Sequence, residues 1–416
     1  MSIKILLNPS QIVTVDTKGK NFKRGNSLKE TDVLYDHSVV IENKIIKDII
    51  TNSEAEKLKS ETEEIIDLKN KILLPGLIEC HTHSAFTGSR ADEFRERLKG
   101  KSYEEITNEG GGINSTVQSV RNSSFEEIYN NTLNRVFYFI SQGITALEIK
   151  SGYGLDFENE IKLLKVINSL KNNCPISIIP TFLGAHTYPN EFKMDHNKYL
   201  NIIINKMLPY AAENKLAEFC DGFCESAAFS ADEINLIFSK AKELSLNLRI
   251  HTEQFNNIGG IESALKYNAA SIDHLEVLKE DQIKLLKDND VVCVLLPGVS
   301  FFLNYQYAPA RKLIDNNAII ALSTDYNPGT SPISDLHFIM SLAAIKMNMT
   351  IEETISAVTI NAAKALKLNH KFGSIEIGKS ADFAVFNTND YSEIVYNINR
   401  NLNCMTIKNG EIIYRL

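Results

Sequence analysis

Short apolar runs recur along the middle of the chain, with polar, helix-spaced stretches between them. The runs are Leu73–Cys80, Thr145–Ile149, Ile176–Leu183, Glu218–Cys224, Leu246–Ile250, Ala270–Ile272, Val291–Leu296 and Ile319–Leu322. A strand buried on both faces reads as continuous rather than alternating, as in parallel sheets. In the gaps, Ser124-x-x-Glu127 and Ser230-x-x-Glu233 have the form of capping boxes. Phe157, Ile161 and Leu164 repeat at helical spacing, and Thr350-x-x-Glu353 opens a helix after the last run. Eight strand–helix alternations predict an α/β fold, a (β/α)8 TIM-type barrel over residues 73–366.

The chain ends read differently. Val39–Ile46 is a β-rich run broken by Glu42-Asn43-Lys44, a hairpin signal. Ala381–Phe386 and Met405–Tyr414 are also β-rich, and Asn409-Gly410 marks a turn inside the second. Neither end is self-sufficient. Residues 1–72 and 367–416 are therefore predicted to pair into one small β-sandwich-like domain.

Bulk properties narrow the function. A barrel takes roughly 250 residues, so a chain of 416 leaves room for that second unit, and 44% hydrophobic content supports a large core. Net charge is −8, which disfavours nucleic acid as a partner and means that an anionic substrate needs a local basic anchor. The six cysteines show no framework spacing and read as reduced, apolar side chains. No apolar run approaches the roughly 18–20 residues of a membrane helix. Met1–Leu7 is too short for a signal peptide, so a cytoplasmic location is expected.

The candidate chemistry sits at the ends of the runs. Cys80-His81-Thr82-His83 closes the first, His251 the fifth, and Asp325 follows the eighth. His81 and His83, at i and i+2 on a strand, point the same way. Alone a His-x-His pair is weak. With His251 and Asp325 it makes a four-ligand set for Zn²⁺ or a similar divalent ion, because barrel strand ends converge on one site. Such a set implies metal-assisted hydrolysis.

His-x-His on strand one, single histidines on strands five and six, and Asp on strand eight resemble the amidohydrolase superfamily. Leu74–His83, Phe86–Phe94, Glu148–Gly154, Thr181–His186 and Ser323–Pro332 are similar, more closely, to the imidazolonepropionase family. The resemblance implies hydrolysis of 4-imidazolone-5-propanoate to N-formimidoyl-L-glutamate in histidine degradation. It implies one ion, Zn²⁺ or Fe, on His81, His83, His251 and Asp325. It also implies substrate contacts from Arg90, Tyr153, His186, Gln254, Asn327, Gly329 and Thr330, and a homodimer.

Residue chemistry gives these positions roles. Asp325 binds the ion and accepts a proton from water, and His274 helps move that proton. His186 donates a hydrogen bond to the ring carbonyl. Arg90 grips the propanoate in two parallel hydrogen bonds. Asn327-Pro328-Gly329-Thr330 reads first as a turn and second as a polar rim. Lys150 follows strand two and is expected as an ion-pair or wall residue, with a single metal. The rival is a deaminase or another cyclic amidohydrolase. Deaminases of the superfamily place a proton-shuttling Glu three residues after the strand-five His; here that residue is Gln254, and the role of Glu253 stays open. A binding protein on a dead barrel would have no need for four convergent ligands.

Overall fold

The computed structural model describes residues 3–101 and 111–416. Eight parallel strands form one sheet in strict chain order: β1 (Leu77–Glu79), β2 (Ile144–Lys150), β3 (Ser177–Ala185), β4 (Phe219–Cys224), β5 (Asn247–Thr252), β6 (Ser271–His274), β7 (Val292–Leu295) and β8 (Ile319–Leu322). The seam between β8 and β1 is joined by a parallel bridge between Thr82 and Tyr326, with His83 N–H donating to the Tyr326 carbonyl at 3.0 Å. Seven of the eight predicted runs each supply one of these strands, and the first supplies β1 only in part. Ile78, Ala146, Phe219, Val292 and Ile319 fill a core inside the sheet, and a larger layer lies between strands and helices. Ser230 and Thr350 form reciprocal capping boxes, whereas Ser124 accepts from Glu127 N–H without the return bond.

The first run differs from its prediction. Leu73–Cys80 is not one strand: Ile72–Pro75 belongs to a separate sheet, and β1 begins only at Leu77. The break falls at Gly76, whose N–H donates to Asp382 while Leu77 N–H donates to Gly143. A Cβ at Gly76 would lie 2.2 Å from Thr145 Oγ1, so only glycine allows the chain to cross so close to β2.

The chain ends build two sheets. One orders Ile45–Thr51, His37–Glu42, Ile3–Leu7 and Glu64–Asp67. The other orders Glu411–Arg415, Asn403–Lys408, Phe383–Phe386, Ile72–Pro75, Gln11–Val13 and Val33–Leu34. Leu6, Val39 and Ile66 from the first share a core with Leu73, Phe383 and Ile407 from the second, a sandwich of sheets. The Asn43-Lys44 turn (φ 51° and 70°) and the Asn409-Gly410 turn (φ 53° and 76°) both take the left-handed conformation that tight hairpins require.

Candidate metal centre and active site

His81 and His83 leave the end of β1, His251 lies near the end of β5, and Asp325 follows β8. Asp325 Oδ1 is 3.2 Å from His81 Nε2 and 3.3 Å from His83 Nε2, and the Nε2 atoms of His83 and His251 are 3.2 Å apart. One ligand atom from each of the three histidines falls within a 4.8 Å cluster. A tetrahedral ion with bonds of roughly 2.1 Å spaces its ligand atoms about 3.4 Å apart, so the separations fit one divalent metal.

The hydrogen bonding behind the cluster leaves it short of protons. His81 Nδ1 faces Asp273 Oδ2 at 2.6 Å, and His251 Nδ1 faces Asp221 Oδ1 at 3.0 Å. Each Nδ1 therefore carries the hydrogen, and each Nε2 offers a lone pair toward the cluster. His81 Nε2 and Asp325 Oδ1 are buried without a hydrogen-bond partner. Burial keeps His81 and His83 well below the ordinary histidine range and lowers His251 to about 4, so the rings stay neutral. Lone pairs and a carboxylate converging with so few donors are satisfied by a cation.

The supporting shell is charged and wholly buried. Lys150, at the end of β2, bonds Glu148 and Asp221, each at 2.9 Å. It is an ion-pair residue, one of the two expectations for it. Arg249 bonds Asp273 at 2.8 Å, so each ligand-orienting aspartate also holds a buried cation. Glu79 accepts from Ser323 Oγ and Thr324 N–H, and burial raises it to about 8. None of Glu79, Glu148, Asp221, Arg249 and Asp273 was singled out from sequence. The signal was present: each is a charged residue inside or ending an apolar strand run.

The remaining candidates surround the cluster. His274 ends β6, its ring centroid 5.5 Å from that of His251 and 6.0 Å from that of His81, with Nδ1 3.4 Å from Glu276 Oε1. Burial alone would lower His274, but buried Glu276 beside it holds it above the ordinary range. His186 stacks on His83 at 5.0 Å, and Tyr153 packs against both. His186 Nδ1 lies 2.9 Å from the Gly152 carbonyl and must donate to it. Burial pulls the ring to about 3, so its Nε2 is an acceptor. In that neutral form the ring has no second N–H, so the expected donation to a ring carbonyl would require its protonated form.

Asn327 is also more internal than a rim residue. Its Nδ2 reaches Asp325 Oδ2 and Thr330 Oγ1, both at 3.0 Å, and its Oδ1 accepts from Gly329 and Thr330 N–H. Its amide is spent on Asp325 and on the turn. Arg90 gives its Nε to Glu93 at 2.8 Å, and its guanidinium lies over Gly329, where a Cβ would fall 2.0 Å from Nη1. A small pocket there is lined by Arg90, Phe94, Arg97, Phe302, Gly329 and Thr330. Arg97 was not anticipated. Gln254 is buried just past β5. Glu253 is buried as well, but its carboxylate turns to Thr252 and to Gln282, at 3.1 Å from the latter.

An eight-stranded α/β barrel with three histidines and an aspartate clustered at its strand ends is the architecture of a metal-dependent hydrolase. A sequence model described as the amidohydrolase family matches residues 72–413. The chain is 40% identical over 412 residues to imidazolonepropionase of Clostridium tetani, covering 99% of this chain and 98% of that protein. It is 45% identical over 339 residues to imidazolonepropionase of Caldanaerobacter subterraneus, covering 82% of each. Among solved structures, a zinc-bound adenosine deaminase from Xanthomonas campestris superposes with a TM-score of 0.72 at 15% identity, over 99% of this chain and 93% of that one. An atrazine chlorohydrolase variant from Arthrobacter aurescens, complexed with zinc and atraton, gives 0.71 at 13% identity, over 99% and 95%. At such identities the two structures share the fold alone. The chain belongs to the amidohydrolase family and, within it, to the imidazolonepropionases. Among the described residues no helix is long and apolar enough to cross a membrane.

Proposed function

We propose that the protein opens the ring of 4-imidazolone-5-propanoate with water, giving N-formimidoyl-L-glutamate. The observation that carries the reading is the cluster of His81, His83, His251 and Asp325 atoms, facing inward with too few protons, in a chain so similar over its length to proteins named imidazolonepropionase. A divalent cation held by those four residues lowers the pKa of water toward neutrality and polarises a carbonyl oxygen. The donor set suits both Zn²⁺ and Fe; elemental analysis of protein purified without added metal distinguishes them.

The chain's own residues divide the remaining work. Asp325 accepts the proton of the attacking water. His274, held protonated more readily by Glu276, supplies a proton to the departing ring nitrogen. His186 Nε2 accepts a ring N–H, and Tyr153 presents its ring and hydroxyl to the flat heterocycle. Arg90, with Gly329 and Thr330 beside it, takes the propanoate. Gln254 orients the ring. Asn327 holds Asp325 and the turn in place. Deamination lacks the expected shuttle, since Gln254 is a neutral amide and Glu253 faces Gln282. A homodimer follows from the family likeness and is tested by the mass in solution.

The test is direct. Purified, metal-analysed protein is mixed with freshly generated 4-imidazolone-5-propanoate. Loss of the ring's ultraviolet absorbance should accompany a product heavier by one water and should vanish in His81→Ala. No turnover with metal bound would move the search to other cyclic amides.

A further inference from the structure

Behind the Gly152-Tyr153-Gly154 loop lies a buried carboxylate with no cationic partner among the described residues. Glu160, in the first turns of the helix Phe157–Asn173, is fully buried. It accepts from Gly152 N–H at 3.1 Å, Gly154 N–H at 2.7 Å and Leu155 N–H at 3.0 Å, and the Ser151 hydroxyl is a further partner. Three of the four residues from 152 to 155 thus spend their backbone donors on one side chain. We infer that Glu160 is the positioning residue of the substrate loop, fixing Tyr153 and, through Gly152, His186. The inference rests on the proposed substrate contacts of those two residues.

The geometry ties the loop at both faces. From inside, Glu160 gathers the N–H groups, and Gly152 then passes its carbonyl to His186 Nδ1 at 2.9 Å. From outside, Arg121 Nε donates to the Gly154 carbonyl at 2.8 Å. The backbone is wound tightly enough that Gly152 has φ +107° and Leu155 φ +51°. A Cβ at Gly152 would come within 3.1 Å of His186 Nδ1, and one at Gly154 within 2.4 Å of Glu160 N. Glycines let the loop close on the helix and on the histidine, and the carboxylate supplies the acceptors that hold it closed. A carboxylate accepts at two oxygens and donates nothing, whereas a glutamine would aim an NH₂ group at N–H donors. Bonds to the charged form are also the stronger ones. A buried acid so employed costs desolvation, which a purely apolar helix face would have avoided.

The experiment compares Glu160→Gln, Glu160→Asp and Tyr153→Phe, with the double variant Glu160→Gln/Tyr153→Phe, on 4-imidazolone-5-propanoate. Misplacement of contact groups by an ångström is costly, so Glu160→Gln is expected to raise KM by about tenfold and lower kcat, with metal content unchanged. Glu160→Asp, which keeps the charge but withdraws it by one methylene, should fall between wild type and Gln. The double variant should be clearly non-additive, because both changes act through the Tyr153 hydroxyl. Wild-type KM in either Glu160 variant, while Tyr153→Phe and His186→Ala raise it, would overturn the inference. So would loss of folded, metal-loaded protein with KM unchanged in the active fraction, since a merely structural role predicts that pattern. If Tyr153→Phe and His186→Ala themselves leave KM unchanged, it is the assignment of the substrate loop that fails. If Glu160→Gln does not fold, the Asp variant and its combination with Tyr153→Phe decide the question.

Discussion

Asn327 Nδ2 donates to Asp325 Oδ2 at 3.0 Å while the other oxygen of that carboxylate, Oδ1, faces His81 and His83. The amide fixes which oxygen turns to the cluster. Asn327→Ala is therefore expected to weaken metal binding by roughly tenfold, in the range of outer-shell partners. Asn327→Asp should do more: it keeps acceptors for Gly329 and Thr330 but sets a second carboxylate beside Asp325, so metal uptake shifts to higher pH. Chelator competition on both variants measures this, and affinity equal to wild type in both would refute the clamp.

Asp273 serves two masters. One oxygen, Oδ2, meets both His81 Nδ1 and Arg249 Nη2. Asp273→Asn leaves Arg249 buried beside a neutral group and frees the His81 tautomer. Metal affinity should drop by about 10–100-fold, and stability by roughly 3–5 kcal/mol because a buried cation loses its partner. Equilibrium dialysis and urea unfolding of the metal-free forms separate the two effects.

The metal-free protein should bind its ion less well in acid. Burial raises Asp325 to about 6, above its ordinary 3.8, so a proton competes with the cation up to that pH. Affinity is expected to be flat above about pH 7 and to fall by up to about tenfold per unit below 6. For the metal-free fold the sign reverses. A raised carboxyl contributes stability that is full below pH 3.8 and lost as pH rises through about 6. Titrations of affinity and of unfolding between pH 4 and 8 should slope in opposite directions.

Glu253 offers a contrast. Burial raises it to about 7, yet among the described residues its carboxyl bonds only Thr252 and Gln282. Glu253→Gln keeps that shape without the acid. Turnover should stay within about twofold of wild type, while stability rises by roughly 1–3 kcal/mol above pH 7 and not at all below about pH 4.5. A large loss of kcat would show Glu253 to be catalytic after all.

The barrel was readable because its strands are buried on both faces, so each appears as a mostly apolar run rather than an alternating one. Val292–Leu295 and Ile319–Leu322 are almost the predicted runs themselves. The ligand set was readable for a related reason: a histidine or aspartate at the end of such a run has no packing purpose there. The crossing at Gly76 was hidden, because Ile72–Pro75 and Leu77–Glu79 are apolar on both sides of it and pattern alone does not report a change of sheet. Glu148, Asp221 and Arg249 were hidden by the opposite habit, the reading of one charge in an apolar run as noise. The tautomer of His186 depends on where one hydrogen sits, which its 2.9 Å contact with the Gly152 carbonyl indicates and the sequence does not.

The Gly76 crossing has a genetic consequence. Ile72–Pro75 is zipped to Phe383–Phe386, and the next strand along the chain carries His81 out of β1. The codons for Phe383–Phe386 thus encode the splint for a strand specified some three hundred codons earlier. A nonsense mutation just ahead of Phe383 would spare the codon of every metal ligand and still be expected to abolish the metal site.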